Sequence, residues 1–263
     1  MQKLSGGYAN MRLKSWFAAG LFVVYLGLFL GISPAIADID NAQAQLFEEQ
    51  VLDVIRTHPE VVLESVKTYQ IQQAQEQRVQ QANVVKELLS HPAYLVGDSP
   101  VQGSSEQILL VEFSDFQCPY CAREQQILKQ FVNNHPNEIT LVYKHLPLTQ
   151  IHNEAMSAAK AAWAANQQGK FWPYHDELFN NRNNLGEDLY LSIANQLDLD
   201  LERFNSDRAG EAARNSIQQD IELAKKLGVR GTPFFLMNEE TFSGAVPLDE
   251  LELKFSTLKS LGT

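Results

Sequence analysis

The chain predicts an α/β fold: a small mixed sheet that carries a helical insertion and follows an N-terminal helical segment. Three observations predict it. An apolar strand-like run, Ile108 to Phe113, leads into the tetrad Cys118-Pro119-Tyr120-Cys121, which opens a helix. A second alternating run beyond that helix completes a strand–helix–strand unit, which implies parallel strands and a right-handed crossover. Two short strand runs and a final helix close the chain after a long helical stretch.

The elements follow in order. Residues 38–90 read as helix, with Leu46, Phe47, Val51, Val54 and Ile55 at helical spacing. His58-Pro59 interrupts the pattern, and a second helix begins at Pro59, where proline is tolerated in the first turn. That helix carries Val62, Val66 and Tyr69 on one stripe. Between Gln70 and Gln81, seven of twelve residues are glutamine, so this stretch has helix formers but little apolar surface. Val84, Val85, Leu88 and Leu89 restore an apolar face. His91-Pro92, Gly97-Asp98-Ser99-Pro100 and Gly103-Ser104-Ser105 mark a loop-rich boundary near residue 97.

Beyond it, residues 107–116 form a strand, 118–134 a helix and 138–146 a second strand, with Ile139, Leu141 and Tyr143 alternating. Residues 151–210 are helical. Residues 211–227 add a helix closed by Gly228. Residues 234–237 and 241–246 pair as a hairpin across Asn238-Glu239-Glu240, and residues 248–261 make the last helix. Without the 150–210 insertion, the order strand–helix–strand, helix, hairpin, helix is a thioredoxin-like arrangement. The organisation is therefore residues 1–37 as leader, 38–97 as N-terminal helical segment and 98–263 as the α/β domain.

The two cysteines are the only ones in 263 residues. A two-residue spacer at a strand-to-helix junction is the layout of a thiol–disulfide redox pair. Cys118 lies at the positive end of the helix, which favours its thiolate, the nucleophile of disulfide exchange. Cys121, one turn on, can resolve a mixed disulfide. A purely structural bridge over so short a loop constrains the unfolded chain little. A structural zinc site needs more ligands than one Cys pair, and covalent haem needs His where Ala122 stands. No cofactor beyond the Cys118–Cys121 pair and no metal is expected.

Lys3, Arg12 and Lys14 precede an uncharged apolar run, Trp16–Ile32, and Ala35-Ile36-Ala37 fits a cleavage site. This predicts export, with the signal cleaved or the chain anchored by residues 16–32. The first 37 residues contribute three of the 21 Lys/Arg and none of the 32 Asp/Glu, so beyond Ala37 the net charge falls from −11 to −14. Such acidity excludes a nucleic-acid partner, which needs a basic footprint.

Three separated motifs carry a resemblance. Residues 112–121, Glu-Phe-Ser-Asp-Phe-Gln-Cys-Pro-Tyr-Cys, resemble the DsbA-like family of exported thioredoxin-fold oxidoreductases. Residues 169–179, Gly-Lys-Phe-Trp-Pro-Tyr-His-Asp-Glu-Leu-Phe, are similar to a helix start in that family's insertion. Residues 228–235, Gly-Val-Arg-Gly-Thr-Pro-Phe-Phe, look like its proline loop. The likeness runs from about Val101 to the C-terminus. Phe47–Leu89 also looks like the N-terminal helices of the ScsC-type branch, which mediate oligomerisation there.

The resemblance implies roles. Cys118 is the attacking or accepting sulfur and Cys121 the resolving thiol. Pro119 and Tyr120 occupy the positions that tune the redox couple. Glu112 is a buried acid that assists proton transfer as the disulfide opens or closes. Thr232-Pro233 is a cis peptide whose backbone binds an extended substrate by strand addition. The expected partners are exported proteins with cysteines, an integral membrane oxidoreductase that exchanges electrons with the pair, and other copies of the chain through residues 42–90. His145 and Lys144 could approach the site. His152 and His175 read as helix or loop residues satisfied by hydrogen bonds, and Phe171, Trp172, Tyr174 and Phe179 as core of the inserted helices.

The expected activity is the formation or rearrangement of disulfides in extracytoplasmic, periplasmic-type proteins. The DsbA-like likeness favours an oxidase. Thr232 before the proline and an oligomerising stalk favour an isomerase or reductase. A Cu(I)-handling role for the two thiolates is the alternative from another class, set against only four methionines in the chain.

Overall fold

The computed structural model describes residues 34–103 and 108–261. Residues 1–33 of the expected leader, with the apolar run 16–32, lie outside these residues. The first described helix, α1 (Pro34–Thr57), begins ahead of the expected cleavage position at Ala37. Among the described residues no helix is long and apolar enough to cross a membrane.

The chain divides into two compact units, with the boundary at Gln72/Gln73. In the first unit, α1 and the start of α2 (Pro59–Leu89) meet at His58, as the His-Pro break predicts. Leu46, Phe47, Val51, Val54, Val62, Leu63, Val66 and Tyr69 are exposed there.

The second unit starts within α2, earlier than the sequence boundary at residue 97. The reason is burial. Val85 and Leu88 of α2 and Leu95 of α3 (Pro92–Val96) are core residues beneath the sheet. The glutamine-rich stretch also ends on this unit. The Gln81 side chain donates to the Leu227 carbonyl at 2.7 Å, and Arg230 donates to Gln77 Oε1 at 3.0 Å.

The sheet has five strands: β1 (Val101–Gln102), β2 (Ile108–Ser114), β3 (Ile139–His145), β4 (Phe234–Met237) and β5 (Glu240–Ser243), in the order β1-β3-β2-β4-β5. β2 and β3 are parallel, and the other neighbours are antiparallel. The parallel pair requires the crossover helix α4 (Pro119–Asn134). The hairpin turn is tighter than the sequence suggests. Asn238 takes a positive φ of 49° and Glu240 already pairs with Met237, so β5 occupies 240–243 and not 241–246. β1 and α3, where only a loop-rich boundary is predicted, exist through tertiary contact. β1 pairs Val101 with Val142, and Gly103 (φ +88°) lets the backbone pass Ile139, whose carbonyl a Cβ would meet at 2.2 Å.

Alternation along the strands makes two faces. Leu110, Leu141, Phe235 and Met237 pack with Leu128 and Phe131 of α4 and Leu251 and Phe255 of α10 (Leu248–Leu261). Val111, Phe113, Val142, Phe234 and Leu236 pack with α2, α3 and α9 (Glu211–Lys226). The insertion supplies α5 (Ala155–Asn166), α6 (Phe171–Asn180), α7 (Glu187–Gln196) and α8 (Leu201–Ala209). Its core, built on the alanines of α5 with Phe171, Tyr174 and Phe204, is continuous with Phe116, Cys118 and Cys121. Phe171, Tyr174 and Phe179 are buried as expected.

Candidate active site

The site forms where β2 ends and α4 begins. Asp115 organises the turn between them. Its backbone carbonyl accepts from Cys118 N–H at 3.0 Å, and its Oδ1 accepts from Gln117 N–H at 2.8 Å. Its Oδ2 takes Leu148 N–H at 2.9 Å and the His152 ring at 2.8 Å. The side chain is fully buried. It therefore ties the cysteine loop to the segment after β3. An Asp that bonds the backbone two residues on is the usual Asx-turn signal, readable in Asp115-Phe116-Gln117.

Cys118 stands at the N-cap of α4 and Pro119 in its first turn. Both cysteines are buried free thiols. Cys118 Sγ lies 3.4 Å from the carbonyl oxygen of Thr232, and the Thr232–Pro233 peptide is cis. Pro119 and Tyr120 are exposed over the site, with Arg123 stacked 4.7 Å from the Tyr120 ring centre. The two thiols are electrostatically unlike. The Cys118 sulfur is stabilised as thiolate first by the Cys121 thiol, and further by Thr232 and the backbone N–H groups of Cys121 and Tyr120. These outweigh burial and bring its pKa down to about 5. Burial, then the neighbouring Cys118 and Glu112, push Cys121 well above the ordinary thiol range. Cys118 is thus the sulfur equipped to attack and to leave, and Cys121 the one that needs a proton partner.

A buried carboxyl acts on Cys121 electrostatically. Glu112 on β2 is 2% exposed, and burial pushes its carboxyl up to about 8. The Ser114 hydroxyl is near enough to ease the charge on Glu112 and on Cys121. Even so, Glu112 Oε1, Ser114 Oγ and Tyr143 OH have no hydrogen-bond partner within the protein. Glu124, one turn after Cys121, is also buried. It accepts from Val246 N–H at 2.8 Å, and burial raises it to about 7. A glutamate on the apolar stripe formed by Cys121, Leu128 and Phe131 is a signal that pattern reading passes over.

The histidines separate. His145 lies within β3 on the Glu112 face, and burial pushes it down to about 3. Lys144 points to the opposite face, where it pairs with Asp220 at 3.0 Å, and so does not join the site. His152 is satisfied by Asp115. His175 is only half satisfied. Its Nδ1 meets Asp176 at 3.0 Å, while the buried Nε2 has no partner. Among the described residues no group of three or more His, Cys, Asp or Glu side chains is placed to hold a metal.

Known proteins match this arrangement. Residues 109–256 match the model of the DSBA-like thioredoxin domain. Among curated proteins, the chain is 36% identical over 152 residues to the Na(+)/H(+) antiporter NhaA 3 of Salinispora tropica, covering 57% of this chain and 23% of that protein. It is 32% identical over 139 residues to NhaA of Herminiimonas arsenicoxydans, covering 53% and 22%. The chain thus spans about a quarter of the length of these relatives. Among solved structures, a thioredoxin-like oxidoreductase from Silicibacter pomeroyi is 29% identical, with a TM-score of 0.56 over 64% of this chain and 95% of that one. The thiol-disulfide exchange protein alpha-DsbA2 from Wolbachia pipientis, at 23% identity, has a TM-score of 0.60 over 68% and 98%. ScsC of Proteus mirabilis in a transitional conformation, at 24%, has a TM-score of 0.57 over 82% and 95%. The last two show likeness of fold. With the family model covering more than half of the sequence, the chain belongs to the DsbA-like thioredoxin family.

Proposed function

We propose that the protein is an exported thiol–disulfide oxidoreductase that gives disulfides to cysteine-containing proteins outside the cytoplasm. One observation carries this reading: Cys118, whose thiol is brought down to about 5 chiefly by the Cys121 thiol and whose Sγ lies 3.4 Å from the Thr232 carbonyl oxygen, sits against Cys121, whose ionisation burial opposes. In the oxidising direction a substrate thiolate attacks Cys118 Sγ. The Cys118–Cys121 bond breaks, and Cys121 leaves and takes a proton. A second substrate thiolate then attacks the mixed disulfide and expels Cys118, a good leaving group because its thiolate is stable. Glu112, protonated at neutral pH, is the acid within reach of Cys121. Thr232 and Pro233 present backbone to the substrate.

The stable Cys118 thiolate favours the dithiol form of the pair and so an oxidising disulfide. The N-terminal charge pattern and the run 16–32 support export. The oxidised state is then restored by a membrane oxidoreductase. A second reading, a disulfide isomerase or reductase built from several copies, is favoured by the exposed apolar residues of α1 and α2.

The reduction potential of the pair against glutathione, with refolding assays on reduced and scrambled ribonuclease, tests this. An oxidase predicts a potential near about −120 mV and activity on the reduced substrate only. A potential near about −270 mV with activity on the scrambled substrate supports the isomerase or reductase instead. Absence of activity in both assays, unchanged by Cys118→Ser, contradicts both readings.

A further inference from the structure

Disulfide opening leaves a proton problem behind Cys118. While the substrate covers Cys118 and Thr232, Cys121 becomes a thiolate at a buried position and must be protonated. Glu112 can supply one proton, but it then holds a charge that burial opposes and has to be recharged. The front of the site is closed by the substrate at that moment.

The rear of the site is open. A cavity of about 310 Å³ runs between β2, β3, α4 and α6, and is lined by Glu112, Gln125, Lys129, Trp172, His175 and Asp176, among others. It is large enough for several water molecules. At its inner end Glu112 presents the unpartnered Oε1. On its α6 wall His175, 4% exposed, presents the unpartnered Nε2. At its outer end Lys129 is half exposed and pairs with Asp176 at 2.6 Å.

The orientation of His175 is set by Asp176. The carboxylate can only accept, so Nδ1 of His175 carries the hydrogen and Nε2 is a buried lone pair without a partner within the protein. Gln125 Nε2 donates to the same Asp176 oxygen at 2.9 Å. Burial opposes the charge on Asp176, but these hydrogen bonds from His175, Lys129 and Gln125 hold it well below the usual carboxylate range. Burial also keeps His175 neutral, against the pull of Asp176. Of the charged and titratable groups, Glu112, Lys129, His175 and Asp176 line this pathway, together with the Gln125 amide. Ser114, Glu124 and Cys121 interact electrostatically with Glu112, His145 with His175, and the Tyr143 ring stands 5.2 Å from that of His175.

We propose that the His175–Asp176 pair on the helical insertion relays protons between solvent and Glu112, so that Cys121 is protonated and deprotonated from behind while the substrate covers Cys118. This rests on the exchange reading above. When the Cys118–Cys121 bond breaks, its electron pair goes to Cys121 and Glu112 gives Cys121 its proton. A proton from solvent enters through the cavity water to Nε2 of His175, and Asp176 stabilises the imidazolium while it lasts. That proton passes through cavity water to Glu112 Oε1. Resolution of a mixed disulfide by Cys121 runs the same transfers in reverse. His175 is thus a relay residue, and Asp176 a positioning one.

The test is the rate at which dithiothreitol reduces the oxidised full chain in dilute buffer. Dithiothreitol supplies both electrons and becomes the cyclic disulfide. His175→Ala is expected to slow reduction roughly tenfold, below the ~10²–10⁴-fold that directly positioned proton transfer contributes. Added imidazole should restore the rate as its concentration rises, because it can enter the vacated space. A defect caused by lost packing would not respond to imidazole. Asp176→Asn, at the outer end of the cavity, tests the relay without emptying the core and is expected to slow reduction with a larger solvent isotope effect. His175→Ala at wild-type rate, a slow rate that imidazole leaves unchanged, or Asp176→Asn at wild-type rate and isotope effect overturns the relay. If instead the wild-type pair reacts no faster than a model disulfide, the exchange reading itself falls.

Discussion

Cys118 and Cys121 are three positions apart, yet their surroundings separate their chemistry. Cys118 has the amide ends of α4 and the Thr232 loop; Cys121 has only buried neighbours. Alkylation of the reduced protein by iodoacetamide should therefore rise with a midpoint near pH 5, at Cys118 alone, far below the ordinary thiol value of 9.0. Glu112 makes an independent prediction. Its folded pKa of about 8 stands above the ordinary 4.5. Below pH 4.5 the group is protonated folded and unfolded, and its full contribution is present. As pH rises toward 8 the unfolded chain ionises first, so stability is lost. Glu112→Gln should leave stability unchanged at pH 4 and raise it at pH 7 by up to the order of 3 kcal/mol, read from the denaturant midpoint. At this scale the sequence was legible where a residue announces its own chemistry, as the cysteines do, or where a motif places it, as with Glu112 and Thr232-Pro233. Asp115 and Glu124 matter through partners 33 to 122 residues away in sequence, and the unpartnered nitrogen of His175 through a cavity shared with Glu112, none of which pattern reading brings together.

At the level of elements, Asp115 shows how one side chain fixes the junction of β2 and α4. Asp115→Ala removes acceptors from the N–H groups of Gln117 and Leu148 and from the His152 ring. We expect a loss of roughly 2–4 kcal/mol in unfolding experiments, with slower exchange because the Cys118 loop is no longer anchored. Helices α4, α9 and α10 and strands β2, β3 and β4 were readable from periodicity, because each has one face committed to the core. β1 and α3 were not. β1 is two residues long and takes its conformation from pairing with β3, and α3 has five residues and is held by burial of Leu95. The glutamine-rich part of α2 shows the same limit. Its side chains reach Leu227 and Arg230, a contact invisible in the composition. Gln81→Ala should lose about 1 kcal/mol, measurable by thermal unfolding.

For the whole molecule, the boundary at Gln72/Gln73 decides how association should be tested. Removing everything before Gly97 would delete Val85, Leu88 and Leu95 from the core. A chain beginning at Gln73 keeps them. By light scattering, a chain from Asp38 should be oligomeric and one from Gln73 monomeric; equal masses would remove α1 and the start of α2 from any assembly. The proposed function stands or falls on Cys118 being the sulfur that joins the substrate in a mixed disulfide, with Cys121 its buried partner in the protein's own disulfide. Mass spectrometry of the Cys121→Ser protein mixed with a disulfide-bonded peptide tests it most directly. The expected result is a covalent adduct of one peptide cysteine at Cys118, released by dithiothreitol and formed with a midpoint above that of wild-type alkylation, because the thiol that chiefly stabilises the Cys118 thiolate has been replaced. The absence of any adduct at Cys118 across pH 5 to 8 would contradict it.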